Sequence, residues 1–195
     1  MTSSNPSDDQ PTVLVVDDER ATADLYTEYL AETYRVRTAY SGREALELMD
    51  STVDVVLLDR QMPGLSGDEV LEAMRARESD CRFIMVTGIT PDLDIIGLPF
   101  DEYLVKPVSS ETVHDAVERM LVRTTHDARI QKLLSIASKM ATLESKLELS
   151  DLTASDEYAV LEAQFSDLRG TLGEEVLEDD PYPEFTTAKI RSVID

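Results

Sequence analysis

Four short apolar runs stand out in the first half of the chain, and each ends at a residue with a polar side chain. The runs begin at Val13, Val55, Phe83 and Tyr103. They lack the alternation of apolar and polar residues that marks a strand with one solvated face. Continuous runs of this length are typical of strands buried on both faces, as in a parallel sheet covered by helices.

Amphipathic helices are predicted between these strands. Residues 21–33, 42–50 and 66–77 carry apolar side chains at intervals of three and four, and Ser109 is a suitable N-cap for another helix. With Arg35–Ala39 as a second strand, strands and helices alternate along the chain. Right-handed crossovers then predict an α/β fold with a doubly wound, five-stranded parallel sheet.

The residues at the ends of the runs have side chains suited to phosphoryl transfer. They are Asp17, Asp18, Asp59, Thr87 and Lys106. In open α/β sheets ligands bind beyond the carboxyl ends of the strands, so these side chains should meet in one crevice. Carboxylate oxygens suit Mg²⁺, an aspartate can carry a phosphoryl group covalently, and a hydroxyl and an ammonium can stabilise the transferred charge.

This combination resembles the receiver domain of two-component response regulators over residues 11–124. The resemblance rests on Asp17-Asp18, the segment Asp59–Gly64, Thr87 and the segment Tyr103–Pro107. It implies a flavodoxin-like strand order. It also implies transfer of a phosphoryl group to Asp59 from the phosphohistidine of a sensor histidine kinase.

The resemblance further implies a role for each site residue. Mg²⁺, the implied cofactor, would be bound by Asp18, Asp59, the backbone carbonyl of Gln61 and, through water, Asp17. Thr87 and Lys106 would stabilise the phosphoryl group, and Tyr103 would swing inward when Thr87 engages it. The bond between Lys106 and Pro107 is expected to be cis, which X-Pro bonds allow at modest cost.

Each feature also has a simpler interpretation. An acidic cluster is usually a solvated surface, which is the interpretation we keep for Glu19, and Asp59 alone could cap the turn at Pro63-Gly64. The coincidence of Asp59 with Thr87 and Lys106 argues against a cap. A hydrolase with an aspartate nucleophile would need a second acid and a substrate cap, and neither is evident, so we predict a signalling protein and not an enzyme.

The stretch between Thr87 and Lys106 is unusual for a receiver. It is short and contains Pro91, Gly97 and Pro99. Proline removes a backbone donor and blocks the preceding helical turn, so only a helical stub over residues 92–98 is predicted where receivers usually have a full helix. Many receivers form phosphorylation-dependent dimers through that helix.

Acidity dominates the composition. The net charge is -22, from 40 acidic and 18 basic residues, and the basic residues are mostly arginine. Such a charge disfavours non-specific binding to nucleic acid or anionic membranes and resembles the proteins of extreme halophiles. Without a signal peptide or an apolar stretch of membrane-spanning length, the chain is expected to be soluble and cytoplasmic. Residues 1–10 are expected to form a disordered lead.

The pattern changes to helical heptads in the C-terminal part. One seam runs from Leu133 to Leu147 and a second from Tyr158 to Leu172. They predict a helical hairpin or coiled coil over residues 126–178, with a capping box of Thr153 and Asp156 opening its second helix. Residues 179–195 are expected to form a loosely ordered tail.

This C-terminal part resembles the HalX domain that follows receivers in halobacterial signalling proteins, over residues 126–190. Its 15 acidic and 7 basic residues in 126–195 do not support DNA binding. We therefore expect a protein partner or self-association, through apolar positions such as Ile130, Leu134 or Leu149. The alternative is a DNA-binding transcriptional regulator. Its support would be a basic patch of Arg129, Lys132, Lys139 and Lys146 on one exposed helix face.

Overall fold

A computed structural model describes residues 10–77, 81–123 and 128–172. The expected lead, apart from Gln10, and the expected tail lie outside the described residues. The chain divides into two compact units. We call Met1–Ile89 with Leu98–Thr125 the sheet unit, and Thr90–Gly97 with His126–Asp195 the helical unit.

The sheet unit contains a five-stranded sheet in which all neighbouring strands are parallel. The strands are β1 (Thr12–Val16), β2 (Arg35–Ala39), β3 (Val55–Leu58), β4 (Arg82–Thr87) and β5 (Glu102–Val105). Their spatial order is β2-β1-β3-β4-β5. This is the flavodoxin-like order, so the predicted fold class is confirmed. The order reverses between β1 and β3, which places Asp17 and Asp59 side by side.

Helices connect three of the four strand pairs and follow the last strand. They are α1 (Arg20–Leu30), α2 (Gly42–Leu48), α3 (Gly67–Arg75) and α4 (Ser110–Arg123). Side-chain caps fix three of these starts. At α2, Ser41 Oγ accepts a hydrogen bond from Glu44 N at 3.2 Å. Ser66 and Glu69 form a complete capping box at α3, and Ser109 Oγ accepts a hydrogen bond from Thr112 N at 3.2 Å at α4. Because Ser66 follows Asp59 so closely, its cap also fixes the loop after the phosphoacceptor candidate.

Apolar residues of the central strands form the core. Val15 and Leu57 belong to one buried cluster with Leu30 of α1 and Met120 of α4. Removing this apolar surface from water stabilises the unit by about 25 cal/mol per Å². The same burial fixes the backbone at the strand ends, which the polar side chains of the site follow.

The helical part of the crossover between β4 and β5 is shorter than the stub over residues 92–98 that the sequence predicts. It contains one 3-10 turn, Leu93–Ile95, capped by the Asp92 side chain, which accepts a hydrogen bond from Leu93 N at 2.7 Å. Pro91 and Ile95 are buried. We call residues 90–97 the switch segment, and this segment belongs to the helical unit although both of its ends join the sheet unit.

The helical unit contains α5 (Ala128–Glu144), α6 (Leu149–Thr153) and α7 (Asp156–Leu172). Helices α5 and α7 pack against each other. Seam residues such as Leu143 and Leu161 are buried. The Tyr158 hydroxyl donates to Glu144 Oε1 at 2.7 Å, which joins the first turn of α7 to the end of α5. The predicted C-terminal helices are thus confirmed.

Three details of the helical unit differ from the predictions. Ser155, not Thr153, caps α7: its Oγ accepts a hydrogen bond from Tyr158 N at 3.1 Å, while Thr153 is the last residue of α6. Leu134 is buried and cannot present an apolar surface to a partner. Lys139 is only 8% exposed, so it does not belong to an exposed basic patch. Within the described residues, no helix is both long enough and apolar enough to cross a membrane.

Candidate functional site

Three carboxylates converge at the carboxyl ends of β1 and β3. Asp17, Asp18 and Asp59 each offer an oxygen within 4.8 Å of the other two. Backbone hydrogen bonds fix two of them: Asp17 N donates to Ala39 O at 3.2 Å, and Asp59 N donates to Val16 O at 2.9 Å. Asp17 and Asp59 are buried, whereas Asp18 is exposed. The cluster therefore has a fixed base and one side open to solvent.

Lys106 extends into this cluster from the end of β5. Its Nζ lies 2.5 Å from Asp17 Oδ2 and 3.3 Å from Asp59 Oδ1. Lys106 N also donates to Thr87 O at 2.9 Å, so the backbone is held to the end of β4. The peptide bond between Lys106 and Pro107 is cis. One ammonium group is thus shared by two buried carboxylates.

Burial and the neighbouring charges shift the pKa values of both Asp59 and Lys106. Desolvation raises the pKa of the Asp59 carboxyl, and the charge of Asp17 raises it further, while Lys106 only partly offsets them. Desolvation alone would lower the pKa of the Lys106 ammonium. Its pKa is nevertheless raised, because the bond to Asp17 and the charge of Asp59 together outweigh desolvation. The site therefore favours a charged lysine and carries excess negative charge.

The donor set fits a divalent metal ion. Three carboxylates with a single lysine leave net negative charge at the site, and oxygen ligands are those that hard cations such as Mg²⁺ and Ca²⁺ prefer. Gln61 follows Asp59 in the loop, and its side chain is exposed. The contribution of the Gln61 carbonyl stays a prediction.

Thr87 and Tyr103 meet at the backbone of Ile89. Thr87 is fully buried, and its Oγ1 accepts a hydrogen bond from Ile89 N at 3.3 Å. The Tyr103 hydroxyl donates to Ile89 O at 3.2 Å, and its ring packs against Phe100. Tyr103 is 6% exposed, so its side chain is buried, and its movement with Thr87 stays a prediction.

Two contacts near Asp59 are not evident from the sequence pattern. A Cβ added to Gly67 would lie 2.2 Å from Asp59 O, so only glycine allows α3 to approach the backbone of Asp59 this closely. Arg60 forms a bidentate ion pair with Asp68, in which Nε and Nη2 each donate to a carboxylate oxygen at 3.0–3.1 Å. Glycine at the first position of a capped helix was the available sequence signal for the first contact.

Comparison with known protein families identifies both parts of the chain. Residues 13–118 match the response regulator receiver domain, and residues 122–188 match the HalX domain. A Haloferax volcanii protein named "Putative transcriptional regulator" is 49% identical over 135 residues, which cover 69% of this chain and 23% of that protein. The response regulator SaeR of Staphylococcus epidermidis is 32% identical over 72% of this chain and 64% of its own length. The chain therefore spans less than two thirds of these relatives.

Solved structures agree with the first of these matches. A response regulator receiver domain from Clostridium thermocellum is 30% identical with a TM-score of 0.54, covering 59% of this chain and 97% of that one. A CheY-like receiver domain from Methanospirillum hungatei is 26% identical with a TM-score of 0.56, covering 60% and 97%. With the acidic cluster in place at the strand ends, the chain belongs to the response regulator receiver family, with a receiver domain followed by a HalX domain.

Proposed function

We propose that this response regulator accepts a phosphoryl group on Asp59 from the phosphohistidine of a sensor histidine kinase and signals through its HalX domain. The observation that carries the proposal is the convergence of Asp17, Asp18 and Asp59 within 4.8 Å, with Lys106 Nζ 3.3 Å from Asp59. The receiver family implies the kinase partner.

In the proposed reaction, a carboxylate oxygen of Asp59 attacks the phosphorus while the bond from phosphorus to the donor nitrogen breaks. The transition state spreads negative charge over the phosphoryl oxygens, so positive charge and hydrogen-bond donors accelerate the transfer. Lys106 supplies an ammonium beside Asp59. Thr87 has a hydroxyl hydrogen to donate, because its Oγ1 serves as the acceptor for Ile89 N.

The proposed cofactor is Mg²⁺, held by Asp18, Asp59 and the Gln61 carbonyl, with Asp17 contributing through water. When bound, it would neutralise the carboxylates and the incoming phosphoryl oxygens. Asp17 also orients Lys106, whose Nζ lies 2.5 Å from Asp17 Oδ2. The buried Asp17 therefore has two functions in the proposal, as metal ligand and as the anchor of the lysine.

The test is phosphorylation by a small phosphodonor in the presence of Mg²⁺, read by intact-mass spectrometry. The wild type should gain one acid-labile phosphoryl group, and Asp59→Asn should gain none. Asp18→Ala should lose phosphorylation through the metal, whereas Lys106→Ala and Thr87→Ala should retain some. Asp167→Asn removes an exposed carboxylate of α7 and should behave as the wild type. Equal phosphorylation of Asp59→Asn would rule out the assignment.

We propose that the output of the HalX domain is recognition of a protein, either another partner or a second copy. Leu149 and Val160 are 73% and 56% exposed. These side chains offer an apolar contact on an otherwise acidic unit. Replacing both with glutamate should abolish association in sedimentation experiments while leaving phosphorylation intact. Association that persists in this variant would exclude these residues as the contact.

DNA binding is the second candidate, favoured by the printed name of the Haloferax volcanii relative. The burial of Lys139 leaves Arg129, Lys132 and Lys146 as the exposed members of the basic patch that the sequence suggested. A gel shift of a native promoter fragment at high salt distinguishes the candidates. A shift that Arg129→Glu and Lys132→Glu abolish would establish the DNA-binding function.

A further inference from the structure

Lys139 is unusual among the described lysines because it is almost fully buried. It lies on α5 and is 8% exposed, and its Nζ donates to Ile96 O at 3.0 Å. Burying an ammonium is costly unless hydrogen bonds compensate for its lost hydration. Lys132, seven residues earlier on the same face of α5, is exposed. Burial at position 139 therefore reflects a specific contact and not the general character of that face.

The contact joins α5 to the switch segment, residues 90–97. This segment is clustered with the helical unit, and its Pro91 and Ile95 are buried. Its 3-10 turn is held by short-range bonds, in which Ile95 N donates to Asp92 O and Ile96 N donates to Leu93 O, both at 3.1 Å. A single 3-10 turn is weakly stable by itself. The Lys139 ammonium, which donates to Ile96 O, would therefore contribute substantially to the stability of this turn.

The backbone of Ile89, the residue directly before the switch segment, is hydrogen-bonded to the side chains of Thr87 and Tyr103. Its N–H donates to Thr87 Oγ1 at 3.3 Å, and its carbonyl accepts from the Tyr103 hydroxyl at 3.2 Å. Accepting this N–H leaves the Thr87 hydroxyl hydrogen free to donate to a phosphoryl oxygen. Holding the switch segment in place therefore also restrains the adjoining backbone of Ile89, which orients the side chains of Thr87 and Tyr103.

We propose that Lys139 is a latch that ties the switch segment to α5 and thereby favours the conformation in which Thr87 receives a phosphoryl group. The HalX domain then has two roles, because it carries the output and also adjusts the receiver. Coupling of this kind is reciprocal, so a ligand that stabilises the phosphorylated site should also strengthen the latch. The second half of this inference rests on the proposed function of Asp59.

The test uses the full chain and two matched variants, Lys139→Met and Lys132→Met, which remove the same charge from one helix face. Hydrogen exchange at the amides of Ile95 and Ile96 measures the latch directly, without any ligand. We expect exchange about ten-fold faster in Lys139→Met, as for loss of a hydrogen bond to a charged group, and unchanged in Lys132→Met. Equal exchange in both variants would overturn the latch.

Beryllofluoride with Mg²⁺ then tests the coupling. We expect Lys139→Met to bind beryllofluoride about five-fold or more weakly than the wild type, with Lys132→Met unchanged and Lys139→Arg, which keeps a charged donor, closer to the wild type. Unchanged affinity in Lys139→Met, together with faster exchange, would overturn the coupling. If wild type, too, fails to bind beryllofluoride, the proposed function fails while the exchange result still decides the latch. Should Lys139→Met unfold the helical unit, Lys139→Gln and Lys132→Gln replace the pair.

Discussion

Asp59 shows at the residue scale how a site can oppose the stability of its own fold. The carboxylate is buried beside Asp17, and Lys106 does not fully offset these two effects, so its pKa is raised. A raised pKa means that the folded state holds the proton more tightly than the unfolded state. The penalty for ionisation therefore grows as the pH rises from about 3.8 through the folded pKa, and it is complete above the folded pKa.

Asp59→Asn should accordingly stabilise the metal-free protein at neutral pH. We expect the melting temperature in chelator to rise by a few degrees, since about 1 kcal/mol corresponds to roughly 4 °C for a domain of this size. The difference should shrink as the pH falls toward the ordinary pKa of aspartate. Adding Mg²⁺ should stabilise the wild type more than the variant. A variant that melts lower than the wild type in chelator at neutral pH would contradict the charge argument.

Gly67 lies too close to the backbone of the loop after β3 to accept a larger residue. A methyl group at this position would lie 2.2 Å from Asp59 O and 2.8 Å from Arg60 Cα, both backbone atoms. Gly67→Ala should cost about 1–3 kcal/mol through overpacking and should also slow phosphorylation by displacing Asp59. Gly170→Ala is the control, because nothing lies within 4 Å of its added Cβ and alanine favours the helix interior. Thermal melts and phosphorylation rates that do not separate the two variants would exclude the close approach.

At the element scale, the start of α7 depends on one hydroxyl group. Ser155 Oγ accepts from Tyr158 N at 3.1 Å and lies 3.0 Å from Glu157 Oε2, to which it donates. The same turn contains the hydrogen bond from the Tyr158 hydroxyl to Glu144. Burial is the larger cause and this hydrogen bond the second, and together they raise the pKa of Tyr158 far above its usual range. The tyrosine therefore remains neutral and able to donate, which keeps the two long helices joined.

Ser155→Ala should destabilise the helical unit by about 1 kcal/mol, the usual cost of losing an N-cap. Thr153→Ala is the matched comparison, since the sequence pattern assigned the cap to Thr153, whereas its Oγ1 donates a hydrogen bond within α6, to Ser150 O at 3.2 Å. Circular dichroism melts of the full chain should show the larger loss for Ser155→Ala. A larger loss for Thr153→Ala would support the original capping box.

Charge governs the stability of the whole molecule. The net charge is -22, and like charges repel one another more strongly in the folded chain than in the unfolded one. Salt screens this repulsion, because the Debye length falls from about 30 Å at 0.01 M to about 3 Å at 1 M. The chain should therefore require salt for full stability.

We expect the melting temperature to rise continuously with KCl over this range. A variant with Glu162→Gln and Asp167→Asn, which removes two exposed negative charges from α7, should show a smaller rise. These positions lie outside the carboxylate cluster, so the comparison isolates general repulsion from metal binding. A melting temperature that does not change with salt would contradict the halophilic interpretation of the composition.

The sequence by itself determined the sheet and the members of its site. A continuous apolar run specifies a strand buried on both faces, and the strands of a doubly wound sheet end at one edge. The sequence alone therefore predicts that Asp17, Asp59 and Lys106 lie together, and their distances agree with this. The family resemblance supplied the role of each residue, and those roles stay predictions.

Only the tertiary structure decided which neighbours these elements meet. Heptad spacing showed which face of α5 is apolar, but it gave no indication that Lys139 would be buried against a carbonyl of the switch segment, 43 residues earlier. The close approach of Gly67 to Asp59 O likewise depends on the path of the loop between them. The physical reason is that local pattern fixes the periodicity and polarity of an element, whereas burial of a particular side chain depends on long-range contacts that local pattern does not encode.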